Sequence, residues 1–216
     1  MITKDEVEIN VNNIRLNGIL QIPEGAQGIV LFAHGSGSSR FSVRNQHVAN
    51  ILHTTKIATL LFDLLTPDEE AIDEITRQHR FNIELLASRL IAATDWLASQ
   101  STTQYLSVGY FGASTGAAAA LQAAAQKQDI VKAVVSRGGR PDLAGAALAQ
   151  VKAPTLLIVG GNDEPVIEMN EDAMRKMQCI KKLEIVLGAT HLFEEPGTLD
   201  EAANLAKEWF TFYLRI

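Results

Sequence analysis

Hydrophobic and polar residues alternate in two stretches near the start of the chain. Residues 7–11 and 14–22 place apolar side chains at alternate positions, the pattern of strands that bury one face. Asn12 and Asn13 separate the two stretches, and asparagine tolerates the backbone angles of a tight turn. The pattern therefore predicts an antiparallel β-hairpin.

Farther along the chain, apolar residues form continuous runs of strand length. Such runs are typical of strands buried on both faces of a parallel sheet. Segments with helical periodicity lie between them, so the order of elements predicts an α/β fold with helices on both faces of a mostly parallel sheet. The predicted strands are 28–33, 57–62, 105–111, 130–135, 154–159 and 183–187. The predicted helices are 42–52, 82–99, 117–125, 168–177 and 199–213, with short helices within 66–80 and 140–150.

The sequence Gly-Ala-Ser-Thr-Gly at 112–116 joins one predicted strand to the helix that follows it. On a sharp strand-to-helix turn, the serine hydroxyl is pushed out of the sheet, and the glycines on either side let the backbone segments approach. The segment therefore indicates a nucleophile elbow with Ser114 as the nucleophile. The alternative is a tight turn with an inert serine, since small residues are common in turns.

An activated serine needs a general base, and the base needs a carboxylate to orient it. Asp163 follows the predicted strand 154–159, and His191 lies on the loop after the strand 183–187. The order Ser114, Asp163, His191 is that of a triad on one class of α/β fold. Taken singly, Asp163 could be a turn residue or a helix cap, and His191 could be structural.

Length and charge restrict the function classes. The 216 residues fit a single domain spanning 1–216, and the net charge of −6 argues against a nucleic-acid surface. The single cysteine, Cys179, is compatible with a reducing compartment. We expect a cytoplasmic protein, because no run is long enough to span a membrane and the start lacks the pattern of a signal peptide.

Motifs for a metal or a nucleotide cofactor are not found in the sequence. The histidines and acidic residues are not spaced like metal ligands. A phosphate-binding loop would carry Lys-Ser or Lys-Thr after a glycine-rich turn, and none of the glycine-rich turns here is followed by either pair. The sequence therefore predicts a small-molecule substrate and no cofactor, metal, nucleic acid or membrane partner. It leaves open whether the chain is a monomer or a homodimer.

Four motifs spread over nearly the whole chain carry a resemblance to a known family. They are His-Gly-Ser-Gly at 34–37, the elbow at 112–116, Gly-Asn-Asp-Glu-Pro-Val at 161–166 and His-Leu-Phe-Glu-Glu-Pro-Gly at 191–197. With them the chain resembles the α/β-hydrolase superfamily and, within it, the dienelactone-hydrolase-like branch. The resemblance implies the α/β-hydrolase fold, and the short stretch after residue 135 leaves no room for a cap domain. The enzymes that name the branch use a cysteine nucleophile, so Ser114 points to a more general serine esterase.

Acyl transfer places negative charge on a carbonyl oxygen, which fixed N–H donors stabilise. We expect one donor to be the backbone N–H of Thr115, at the amino end of the helix after the elbow. The other is expected from the loop after the strand 28–33, and we assign it to Ser36. His34 is interpreted as a buttress of this loop, because His191 already supplies the base.

Several arginines follow strands whose carboxyl ends should share one edge of the sheet. Arg40 and Arg44 come after the glycine-rich loop, and Arg137 and Arg140 follow the strand after the elbow helix. Guanidinium groups bind carboxylate and phosphate through paired hydrogen bonds, so Arg40, Arg44 and Arg137 are candidates to bind an anionic substrate. The alternative for Arg40 and Arg44 is the solvated start of a helix.

The combined motifs favour a serine hydrolase that cleaves a small ester, a lactone or a thioester through an acyl-enzyme. In this interpretation Ser114 attacks, His191 moves the proton and Asp163 orients the imidazole. A catalytically silent small-molecule receptor on the same fold is an alternative, since fold does not fix function. An acyltransferase, in which an alcohol or amine replaces water, is another.

Overall fold

The apolar runs of the sequence form the centre of one twisted sheet. A computed structural model describes residues 1–215, and within them eight strands are hydrogen-bonded in the order β1-β2-β4-β3-β5-β6-β7-β8. The strands are β1 Ile2–Val11, β2 Ile14–Pro23, β3 Gly28–Ala33, β4 Ile57–Phe62, β5 Ser107–Ala113, β6 Val131–Arg137, β7 Thr155–Gly160 and β8 Lys181–Val186. The pairs β1–β2 and β2–β4 are antiparallel, and the strands from β4 through β3 to β8 run parallel. The predicted hairpin and parallel sheet are confirmed.

Helices cover both faces of this sheet. One buried cluster joins the sheet to α3 and α4, and a second joins the opposite face to α1 and α6. The helices are α1 Val43–His53, α2 Pro67–Thr76, α3 Ile83–Ser99, α4 Thr115–Gln126, α5 Glu164–Lys176 and α6 Thr198–Tyr213. A 3₁₀ segment, Pro141–Gln150, forms most of the connection between β6 and β7, which leaves this connection without a cap domain.

Two helices differ from their predicted form for local reasons. The acidic segment 66–80 contains a full helix, because Thr66 and Glu69 form a reciprocal capping box at its start. The buried carboxylate of Asp73 accepts hydrogen bonds from the backbone N–H groups of His79 and Arg80 and from the Arg80 side chain, and so fixes the end of the segment.

The helix α5 begins at Glu164 rather than at residue 168. Proline in the first turn of a helix loses no intrahelical hydrogen bond, and Pro165 occupies that position. The earlier start places Asp163 at the junction between β7 and α5. Across residues 1–215, no helix is both long and apolar enough to cross a membrane.

Candidate active site

Ser114 lies at the junction of β5 and α4 in a strained backbone conformation. Its φ of 51° and ψ of −124° are rarely adopted by a residue with a side chain. A Cβ added to Gly116 would lie 2.1 Å from the carbonyl oxygen of Ala33, and one added to Gly112 would lie 2.4 Å from Cα of Ala117. The backbone segments pass so closely that only glycine fits on either side of Ser114.

His191 and Asp163 meet at the same edge of the sheet. Nδ1 of His191 lies 2.7 Å from Oδ2 of Asp163, and the side chains are 39% and 14% exposed respectively. Asp163 occupies the N-cap position of α5, yet its side chain makes no capping hydrogen bond. The carboxylate therefore interacts with the imidazole of His191 and does not cap the helix. With Nδ1–H donating to Asp163, Nε2 is the nitrogen that can take up a proton.

The loop that carries His191 is held from both sides. The Gly138 backbone packs beneath it, since a Cβ there would lie 3.0 Å from the His191 carbonyl oxygen. The Glu195 carboxylate accepts two hydrogen bonds from Thr190, one from the hydroxyl Oγ1 at 2.7 Å and one from the backbone N–H of Thr190 at 3.0 Å. These bonds lower the pKa of Glu195, which keeps it ionised as a fixed acceptor. Sequence reasoning did not identify Gly138 or Glu195.

The glycine-rich loop after β3 is fixed by His34, as the sequence suggested. Nδ1 of His34 lies 2.9 Å from the Gly35 carbonyl oxygen, and Nε2 accepts a hydrogen bond of 3.0 Å from the Leu64 N–H. Only the neutral tautomer with a proton on Nδ1 satisfies both contacts. Burial lowers the pKa of His34, which favours that neutral form.

Ser36 and Thr115, the predicted oxyanion donors, are brought together by the fold. Their hydroxyl oxygens lie 3.1 Å apart, although 79 positions separate them in the sequence. The loop also packs on the elbow, because a Cβ at Gly35 would lie 3.1 Å from Cβ of Ser114. Both residues therefore lie beside the nucleophile.

The hydroxyl of Ser114 makes no hydrogen bond to another side chain within residues 1–215. Hydrogen bonds between a nucleophile and its base often tighten only in the substrate complex, so this geometry is compatible with a triad. The structure thus places the three residues at one sheet edge and joins two of them directly.

Arg40 is held by a neighbouring carboxylate. Its backbone N–H donates to Oδ1 of Asp63 at 2.8 Å, its guanidinium pairs with the other oxygen of the same carboxylate, and it lies 4.2 Å from the centre of the Phe41 ring. These contacts correct the alternative of a solvated helix start. They pair the charge of Arg40 within the chain, and its contact with an anionic substrate stays a prediction. Arg140 is similarly engaged, with hydrogen bonds of 2.9 and 2.8 Å to Asp142.

Arg137 and Arg44 have a different environment. Arg137 is 6% exposed, and its Nε and Nη1 atoms are buried without a hydrogen-bond partner among the described residues. Burial, and secondarily the charge of Arg44, lowers the pKa of Arg137 to about 10, so it remains a cation at neutral pH. Nη1 of Arg44 lies 3.5 Å from the Glu194 carboxylate.

A metal site is not seen in the part of the chain that is described. No group of three or more His, Cys, Asp or Glu side chains within it could hold a metal ion.

Comparisons with known proteins agree with this fold. The model of the dienelactone hydrolase family matches residues 18–213. Two Mycobacterium tuberculosis proteins, each named "Putative phosphoribosyl transferase", are 57% identical over 210 residues, which make up 97% of this chain but 46% of theirs. The chain thus spans about half the length of these relatives.

Solved structures extend the comparison. The crystal structure of a dienelactone hydrolase from Anabaena variabilis has 61% sequence identity and a TM-score of 0.97, with 99% of each chain covered. Est1E from Butyrivibrio proteoclasticus has 17% identity and a TM-score of 0.80, covering 96% of this chain and 98% of its own, and so shares the fold alone. The motifs, the sheet order and the family match lead to one conclusion: the chain belongs to the dienelactone hydrolase family and has the α/β-hydrolase fold.

Proposed function

We propose that this protein is a serine hydrolase that cleaves a small carboxylic ester through an acyl-enzyme. The observation that carries the proposal is the hydrogen bond of 2.7 Å between His191 and Asp163, at the sheet edge where Ser114 occupies a strained elbow. A structural histidine would not require a strained serine at the carboxyl end of β5, another strand of the same sheet. A catalytic pair requires a nucleophile there.

In the acylation step, Oγ of Ser114 attacks the ester carbonyl carbon as Nε2 of His191 takes the hydroxyl proton. The carbonyl electron pair moves onto oxygen, and the Asp163 carboxylate stabilises the imidazolium that forms. When the tetrahedral intermediate collapses, His191 gives its proton to the departing alcohol. A water molecule then attacks the acyl-enzyme with His191 as base, which releases the acid and restores the serine.

The negative charge of each intermediate falls on one oxygen beside the elbow. The N–H of Thr115 stands at the amino end of α4, where the helix dipole favours negative charge, and the N–H of Ser36 lies on the loop that His34 fixes. Loss of one such donor costs about 10²- to 10³-fold in turnover. This rigid pair supports acyl transfer over simple ligand binding, because a receptor has no need of fixed donors beside a nucleophile.

The comparisons support a hydrolase without defining its substrate. Similarity to a structure called a dienelactone hydrolase favours cleavage of an ester or lactone bond by this chain. The transferase name belongs to relatives of which this chain matches 46%, so it carries no assignment for this site.

A serine-directed fluorophosphonate probe and a series of p-nitrophenyl esters of graded chain length test the proposal. We expect the probe to label Ser114 and the short esters to be turned over, with both signals lost in Ser114→Ala. A wild-type protein that neither reacts with the probe nor turns over any ester would instead be a receptor. Transfer of the acyl group to added alcohol or amine in preference to water would identify an acyltransferase.

A further inference from the structure

The strand β8 leaves one row of backbone groups unpaired at the edge of the sheet. Its other side pairs with β7, where the carbonyl oxygens of Ile180 and Val186 accept hydrogen bonds and the register is regular. Because backbone groups alternate sides along a strand, the even-numbered residues of β8 face β7. The N–H and C=O groups of Lys181, Leu183 and Ile185 therefore point away from the sheet, without a hydrogen-bond partner within residues 1–215.

A groove of about 290 Å³ follows this edge on the face of the sheet that carries α6. Lys182 and Glu184 of β8 line one side of the groove, and aromatic residues of α6 line the other. The rings of Trp209 and Phe212 each lie 4.8 Å from the ring of Tyr213, so the three rings form one cluster. Phe212 is nevertheless 73% exposed. Apolar rings that stay exposed beside an unpaired strand are typical of an interaction surface.

The charges of β8 complement a second copy of the same strand. In an antiparallel pair centred on Leu183, each Lys182 lies directly opposite Glu184 of the other copy. Opposite charges at such positions stabilise a strand pair, and like charges destabilise it. Centring the pair on Lys182 or on Glu184 brings like charges together, and centring it on Ile185 leaves both charges opposite uncharged residues. The charge pattern therefore selects the register centred on Leu183.

The same register also satisfies the unpaired backbone groups. Leu183 lies opposite Leu183 of the other copy, and each Lys181 lies opposite Ile185. Each of these three residue pairs exchanges two hydrogen bonds, so the two strands form six. All outward N–H and C=O groups of Lys181, Leu183 and Ile185 then have partners.

The opposite edge of the sheet lacks this complementarity. The edge strand there is β1, and it carries Lys4 together with the acidic residues Asp5, Glu6 and Glu8. Pairing of two β1 strands would concentrate negative charge, which opposes association. Charged side chains on an exposed edge are a common protection against edge-to-edge pairing. The arrangement of charges thus favours β8 over β1 as an interface.

We propose that this protein forms a two-fold symmetric homodimer in which the β8 strands pair antiparallel about Leu183. The two-fold axis is perpendicular to the sheet, so both α6 helices lie on the same face and their aromatic clusters flank the joined strands. Within each chain Lys182 also pairs with Glu184, so the four charges alternate in sign around the axis. Antiparallel pairing turns the carboxyl ends of the two sheets to opposite sides, and the two candidate active sites open away from each other. The inference therefore does not depend on the proposed function.

Exchange of the charges on β8 tests both the surface and its register. We expect sedimentation equilibrium of wild type to give twice the mass of one chain at micromolar concentration. At low ionic strength, Lys182→Glu and Glu184→Lys should each raise the dimer dissociation constant by at least about tenfold, because both cross-strand pairs change from attraction to repulsion. The double variant Lys182→Glu/Glu184→Lys should restore dimerisation. An equimolar mixture of the two single variants should form a heterodimer, since an acidic strand then faces a basic one.

The matched control is Arg15→Glu. Arg15 pairs with Glu8 at 3.4 Å on the hairpin at the other edge of the sheet, so reversal of its charge should leave the dimer mass unchanged. Ester turnover by the Lys182 and Glu184 variants should equal that of wild type, because neither residue belongs to the candidate triad.

Three results would decide against the proposal or separate it from the hydrolase. A monomeric wild type would overturn the dimer and show that the lysines of β8 protect its edge. A dimer that Arg15→Glu dissociates, or that Lys182→Glu and Glu184→Lys both leave intact, would overturn the β8 interface in favour of another surface. A wild-type dimer that the two β8 variants dissociate, but that turns over no ester, would support the interface and refute the hydrolase alone.

Discussion

The two ends of the parallel strands contrast in chemistry. At the carboxyl end, Ser114 and Phe193 adopt positive φ angles of 51° and 56°, and Arg137 has buried nitrogens without partners. At the amino end lies a cavity of about 470 Å³, larger than the 430 Å³ beside the glycine-rich loop. Its lining comes from the starts of β3 and β4 and the end of α6.

The size of a cavity is therefore a poor guide to the candidate active site in this protein. The amino-end cavity is lined by glycine, by threonine and glutamine, and by apolar and basic residues, a set without the carboxylate and imidazole of a triad. A positive φ and a buried polar atom without a described partner also occur at the amino end, at Lys56 and Thr211 respectively, so the types of residue distinguish the carboxyl end. If function is confined to the carboxyl end, substitutions there should change ester turnover and substitutions at the amino end should not.

The largest expected effect is that of Ser114→Ala. Removing the nucleophile should reduce ester turnover by roughly 10⁴-fold or more, while the fold remains intact because only a hydroxyl is lost. Turnover of p-nitrophenyl esters and circular dichroism measure the two properties. Ser88→Ala, on the exposed face of α3, is the matched control and should retain full activity. Near-wild-type rates in Ser114→Ala would refute the triad.

Asp163→Asn should slow the chemical step by about 10²- to 10⁴-fold, with KM little changed. The amide cannot stabilise the imidazolium, and it can favour the tautomer of His191 that lacks a free Nε2 acceptor. Steady-state kinetics separate kcat from KM. Asp172→Asn, an exposed carboxylate on the same helix, should leave both unchanged. An effect of Asp163→Asn confined to KM would mean that the carboxylate binds substrate.

A pair of glycine substitutions compares the two ends directly. Gly116→Ala places a Cβ 2.1 Å from the backbone oxygen of Ala33, which cannot move, and should cost more than about 3 kcal/mol of unfolding free energy and abolish turnover. Gly28→Ala at the amino end meets Cβ of Leu214 at 2.8 Å, so the end of α6 must move with it, and the substitution should cost about 1 to 3 kcal/mol and leave turnover intact. Denaturant unfolding measures both. Equal costs would show that the elbow is no more constrained than the amino end.

Acidification should lower the free energy of unfolding, because His34 at the carboxyl end of the sheet is buried in its neutral form. Burial lowers its pKa in the folded protein, whereas the unfolded chain titrates near the ordinary value of about 6.5. The unfolded state therefore binds more protons below that pH, and stability falls as pH drops from about 7 to about 5. Burial lowers the pKa of His53 too, so it contributes in the same direction.

The variant His34→Gln isolates this contribution, because the glutamine oxygen can still accept from the Leu64 N–H but does not titrate. The free energy of unfolding should change less between the two pH values in His34→Gln than in wild type. His79→Gln, on the loop after α2, is the control. An unchanged pH dependence in His34→Gln would show that His34 is protonated equally in both states.

The smallest effect is expected at the amino end. The hydroxyl of Thr211 on α6 is buried without a partner among the described residues, and Thr211 lines the cavity there. Thr211→Val removes this hydroxyl at nearly constant shape, so stability should change by less than about 0.5 kcal/mol or rise, with ester turnover unaffected. Thermal unfolding and turnover assays measure this. Loss of turnover would place a functional site in the amino-end cavity and contradict the assignment of function to the carboxyl end alone.

Much of the fold followed from short-range patterns in the sequence. Alternation gave the hairpin, apolar runs gave the parallel strands, and the strand-turn-helix context of Ser114 gave the elbow, because each pattern reflects a local periodicity. The positions of Asp163 and His191 followed from chain order, since parallel strands share one carboxyl edge. The helix α2 is more regular than its acidic, irregular pattern predicts, because a capping box fixes its start.

The sequence by itself determined the element order and the residue types at the carboxyl edge. Only the tertiary structure decided which side chains meet. Arg40 and Arg137 were equal candidates in the sequence, yet Arg40 finds Asp63 at the end of β4 while Arg137 is enclosed by aromatic rings beside Arg44. Such pairing depends on the packing of strands that are far apart in the chain. Contacts made by that packing, and not the neighbours in sequence, decide whether a charge is neutralised.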